Sequence, residues 1–123
     1  MPQSVTPLMS LTSPDQTAVI IADFGPILPN GVTLVAASFV SMTVWPAPEF
    51  PAQDQNPSSR ILGAPVVVPS PYTRTQNAAI AQMVGHLQPD VRYAIQIAGF
   101  ATDGSEPELW QYLTADYPGM LGP

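Results

Sequence analysis

The segment "HLQPDVRYAIQIAGFATDG", residues 86–104, carries three structural signals in succession and no chemical one. Leu87, Pro89 and Asp90 form a Leu-x-Pro-Asp corner. Tyr93, Ile95, Ile97 and Gly99 then recur at period two, the mark of a strand with one buried face. Asp103-Gly104 closes the segment, and an Asp-Gly pair readily supplies the positive φ angles that a tight hairpin needs. The chain is therefore predicted to reverse there into "PELWQYLTAD" (107–116).

Working outward, "AVIIADFG" (18–25) reads as a strand, "PILPNG" offers a Pro-Asn-Gly turn, and "VTLVAASFVSMTVW" (32–45) alternates. In that strand Val40, Met42 and Val44 share one face and Phe39 and Trp45 the other. Residues 46–60, "PAPEFPAQDQNPSSR", hold four prolines and almost no apolar pattern, which predicts a long connection on the surface. "ILGAPVVV" (61–68) reads as a strand that Pro65 confines to an edge or a bulge, since proline cannot donate to the ladder. "AAIAQMV" (78–84) has helical propensity but sits between proline-rich loops, where a strand is expected. Residues 1–16, with prolines at 2, 7 and 14, read as an extended arm. In it Val5, Leu8, Met9 and Leu11 are candidate contacts to a neighbouring molecule.

The fold class predicted is an all-β immunoglobulin/fibronectin-III-like sandwich of six or seven short strands with extended terminal arms: arm 1–16, domain 17–115, tail 116–123. In immunoglobulin-like sandwiches a tyrosine near the start of strand F turns its hydroxyl back onto upstream backbone, and Tyr93 is placed to do this. The spacing Leu-x-Pro-x-x-x-Tyr-x-Ile-x-Ile also resembles the corner of fibronectin type III modules. Leu87, Pro89, Tyr93, Asp103 and Gly104 are thus the expected structural residues.

Composition narrows the function. The 123 residues suit one domain with a self-sufficient core, and cysteine is absent, which excludes thiol nucleophiles, thiolate metal sites and disulfides. Charged residues are 10% of the chain, well under the roughly 25% of an average soluble domain. A surface so neutral suits burial against neighbouring subunits, although Thr, Ser, Gln and Pro also keep a monomer soluble. Nine carboxylates against three arginines and no lysine give a net charge of −6, which argues against nucleic acid or an anionic membrane as partner. The first residues lack a basic segment followed by a continuous apolar run, so a soluble compartment is expected.

His86 is the lone imidazole, without the base and orienter that nucleophilic catalysis requires or the partners a zinc site requires, and reads as a surface histidine. Glu106 and Glu108 flank a proline after the hairpin turn and read as solvated edge charges. "DGSE" (103–106) lacks the alternating ligand set of a calcium loop. With no lysine, phosphate cradles and Schiff-base chemistry fall together. No enzymatic activity and no cofactor are expected. Most aromatic residues fall on strand-like segments, where packing is the default, whereas Phe50 and Tyr72 sit in proline-rich loops as candidate interface anchors.

Taken together, "DFGPILPNGVTL", "NPSSRILGAPVV", "VGHLQPDVRYAIQIAGFATDG" and "LWQYL" resemble the fibre-tail adaptors of tailed bacteriophages and prophages. Those small proteins share the Asp-Phe-Gly opening, the Leu-Pro-x-Gly-Val turn, Pro-Ser-Ser-Arg, Ile/Leu-Gly-Ala-Pro and the tyrosine corner with its Asp-Gly hairpin. The resemblance covers residues 22–113, and departs at Phe39, where tryptophan is expected. It implies a non-enzymatic virion component with an immunoglobulin-like fold. Such a protein is made in the host bacterial cytoplasm and resides in the virion tail, where several copies in a symmetric assembly contact tail connector and fibre subunits. Alternatives are a capsid decoration protein, or a free carbohydrate- or peptide-binding module, which requires Trp45 or Trp110 to lie exposed as a stacking platform.

Overall fold

A computed structural model describes residues 5–11, 17–45, 48, 52–88 and 91–115, with 5–11 and 115 described by strand pairing alone. Seven strands follow in order: β1 (Val5–Leu11), β2 (Thr17–Asp23), β3 (Leu34–Val44), β4 (Ile61–Val68), β5 (Ala79–Gly85), β6 (Tyr93–Ala101) and β7 (Glu108–Ala115). One 3-10 turn, Pro57–Arg60, precedes β4, and no α-helix occurs among the described residues. The strands form a four-stranded sheet, β1-β7-β6-β3, and a three-stranded sheet, β2-β5-β4. The described residues are all-β apart from that turn, as the turn-rich sequence predicts.

Period two builds the core between the sheets. Tyr93, Ile95 and Ile97 of β6 point inward with Leu109 and Leu113 of β7, and meet Ile20, Ile80 and Val84 from the other sheet. Strand β3 keeps its inward face through two register shifts, between Leu34 and Ala36 and between Ala37 and Phe39. Each inserts one extra residue. As a result Leu34, Ala37, Val40, Met42 and Val44 all reach the core at a spacing no simple alternation gives, while Phe39 turns to solvent.

Gly99 stands against side chains from both sheets. An added Cβ would lie 3.0 Å from Ile80 Cδ1 and 3.1 Å from Leu34 Cδ2. At the hairpin, Gly104 alone of the Asp-Gly pair has positive φ, +85°. Asp103 instead accepts hydrogen bonds from the Ser105 N–H (3.0 Å) and hydroxyl (2.6 Å), which hold the turn from its side.

Two larger expectations are corrected. Residues 5–11, read as part of a free arm, form a strand parallel to β7, with Val5 opposite Trp110 and Leu11 opposite Ala115. The outer edge of β7 has unpaired backbone groups, and a nearby β-forming segment satisfies them within the molecule. Pro7 cannot donate, and the register breaks around it, between Thr6 and Met9. The sheets thus begin at residue 5, not 17. The second concerns 46–60, expected to be a long surface connection that offers contacts: its described residues do lie at the surface, with the exception of Asp54, which is buried.

Candidate functional site

Asp54 anchors a polar cluster under the corner that precedes β6. Tyr93, fully buried, accepts a hydrogen bond from the Gln88 N–H (2.9 Å) and donates its own proton to Asp54 Oδ2 (2.6 Å). Arg60 Nε donates to the same oxygen at 2.9 Å and its Nη2 to Oδ1 at 3.3 Å; the Asn56 N–H also donates to Oδ1, at 2.9 Å. The 3-10 turn Pro57–Arg60 exists to bring Arg60 back over Asp54, six residues earlier. Burial by itself would raise the Asp54 pKa, but the hydrogen bonds from Arg60, Tyr93 and Asn56 together outweigh it and hold the carboxyl at about 2. Burial, with the Asp54 carboxylate beside it, pushes the Tyr93 hydroxyl up to about 12. Both groups are locked in one protonation state across the neutral range, which makes this a fastening and not acid–base machinery.

The outward faces differ from each other. On the four-stranded sheet, Trp45, Trp110 and Tyr112 cluster with ring centroids 6.0 Å apart and planes inclined by 75° (Trp45–Trp110) and 61° (Trp45–Tyr112). Arg92 lies 4.6 Å above the Tyr112 ring and donates from Nε to the Trp45 carbonyl at 2.7 Å. Polar pairs adjoin them: Gln96 Nε2 donates to Glu108 at 2.6 Å, and the Ser38 hydroxyl to Glu106 at 2.6 Å. On the three-stranded sheet the centre of the outward face is apolar, with Thr17 and Asp23 only at the ends of β2. Val19, Ile21, Val66 and Met83 are each 44–57% exposed there, with Leu62, Ala64 and Ala81 between them and no charged side chain among them.

Family models, curated proteins and solved structures contain no match to this chain. Leu87 and Tyr93 are fully buried at the corner, and Asp103 and Gly104 form the exposed hairpin turn; Pro89 lies outside the described residues. Tyr72 is 80% exposed in the turn between β4 and β5. Phe50 lies outside the described residues. Val5, Leu8, Met9 and Leu11 are placed on β1, paired to β7, and not in a segment kept for a neighbour. Among the described residues no group of three His, Asp or Glu side chains could hold a metal ion.

Two features escaped sequence reading. Asp54, Arg60 and Gln88 come together only through folding, and their separations in sequence follow no motif. The apolar face did leave a signal: "AVIIA" is apolar at both parities, the pattern of a strand with two faces to cover.

Proposed function

We propose that this protein is a structural component of a tailed-phage virion, an immunoglobulin-like adaptor that joins the tail to its fibres through protein–protein contacts. The observation that carries the reading is the apolar centre of the outward face of β2, β5 and β4. Four large apolar side chains, Val19, Ile21, Val66 and Met83, stand about half exposed together on it. Contiguous apolar surface of that kind marks contact sites. Connectivity supports the immunoglobulin-like part: β2, β5 and β4 neighbour one another as strands B, E and D do, and β3, β6 and β7 as C, F and G do. The tyrosine corner adds to it, because the Tyr93 hydroxyl meets backbone just upstream of its own strand.

Trp45 is exposed, as a free carbohydrate-binding module requires, but its ring is inclined by 75° to that of Trp110, so the two offer no common plane on which a sugar could stack. Mass spectrometry of particles released by a strain carrying the gene, with copy counting, tests the reading. An adaptor is expected at tens of copies or fewer per particle. Hundreds of copies would make it a decoration protein, and absence from the particle would remove it from the virion.

A further inference from the structure

Four strands form sheet edges: β1, β3, β4 and β2. An exposed edge is a template for pairing, and proteins blunt such edges with proline, bulges or charge. Three of these four are blunted. β1 has Pro7 and a register break; β3 has two breaks; β4 has Pro65, Gly63 at φ +77° and a break between Leu62 and Val66. β2 has none of these. Its seven residues pair with β5 in unbroken register, without proline, and its one charge is Asp23 at the end. Among the described residues, nothing pairs with its other edge.

The position beside that edge is a slot one strand wide. β4 lies against β3, and β2 faces β7 across a crevice of about 130 Å³. The four-stranded sheet then extends one strand further, as β1, and among the described residues the other sheet has no strand above it. Ile20 and Ala22 of β2, Ile95 and Ile97 of β6, and Leu109 and Gln111 of β7 line the crevice, so core side chains are reachable from the slot.

We propose that the edge of β2 receives an extended strand donated by a partner protein, which runs above β1 and sends an apolar side chain into the crevice. Strand addition of this kind draws affinity from main-chain hydrogen bonds and specificity from alternate side-chain pockets. Antiparallel pairing with the β2 edge of a second copy is excluded, because that copy's four-stranded sheet would arrive where β1 stands. The incoming segment is about six residues long, free of proline, alternately apolar and polar, and basic where it passes Asp23 in a chain of net charge −6. The slot rests on edge and crevice geometry and does not depend on the adaptor reading.

The test is amide hydrogen exchange on the full chain, alone and with a synthetic nine-residue peptide of alternating valine and threonine flanked by lysines. Alone, alternate amides of residues 17–23 should exchange freely. With peptide they should slow at least about tenfold, while the already paired amides of β5 stay unchanged. A22K, which places an ammonium at the crevice as natural edges do, should weaken peptide binding at least about tenfold. V19K, on the outward face, should leave it within about twofold. Circular dichroism checks that both variants remain folded. Three results overturn the proposal: a peptide that leaves β2 exchange unaltered, binding insensitive to A22K, or β2 amides protected in the full chain and released by removal of residues 116–123, which would make the chain's own tail the occupant.

Discussion

Tyr93 and Asp54 show how one hydrogen bond can be worth more than its kind. A neutral buried hydrogen bond contributes about 1 kcal/mol net, but one to an ionised partner contributes about 1.5–3. Tyr93→Phe removes a donor to a buried carboxylate and an acceptor for the Gln88 N–H together. Denaturant unfolding should show a loss of about 2–3 kcal/mol. The pH dependence has two sides. Asp54, held at about 2 against an ordinary 3.8, stabilises the fold fully above pH 4, and that contribution of about 2 kcal/mol is lost as pH falls from 4 towards 2. Tyr93, raised from 10 to about 12, stabilises the fold below pH 10 and loses that contribution as pH rises from 10 to 12. In Asp54→Asn, melting curves should be lower at neutral pH and flatter between pH 4 and 2. An unchanged acid profile would assign the acid sensitivity to other carboxylates.

Among the elements, β2 to β7 were legible because each alternates or is bounded by proline and glycine. The edge position of β4 followed from Pro65 alone. β1 was misread because "VTPLMSL" carries a proline, and proline in a short segment suggests an unpaired arm; what decides the matter is the open side of β7, which is a property of the assembled sheet. The burial of Asp54 in the loop 46–60 escapes the sequence for a related reason. A single aspartate among prolines has no periodicity, and its burial depends on Tyr93, 39 residues away. Two truncations follow. Removing residues 1–11 should lower the thermal midpoint by at least about 5 °C, since β7 loses its outer partner. Removing residues 48–56 should unfold the domain or leave it molten by near-ultraviolet circular dichroism, because Tyr93 and Arg60 lose their common acceptor; a cooperative melt near the parent's would show the fastening to be dispensable.

For the whole molecule, charge is scarce and mostly negative, with an isoelectric point near 4.1. Close to that pH little repulsion remains to keep the apolar face of β2, β5 and β4 from meeting its like. Light scattering should rise towards pH 4, and V66K combined with M83K should suppress the rise; equal scattering in parent and variant would place the association elsewhere. The parallel pairing of β1 with β7 has a mechanical meaning. Val5 lies beside Trp110 and Leu11 beside Ala115, so the chain enters this edge at one end and leaves it at the other. Tension between the two ends loads the hydrogen bonds of that pair in shear, all at once, where a hairpin pulled from its open end would unzip one bond at a time. Single-molecule pulling between residues 5 and 115 should accordingly require a higher rupture force than pulling across the β6–β7 hairpin from its open end.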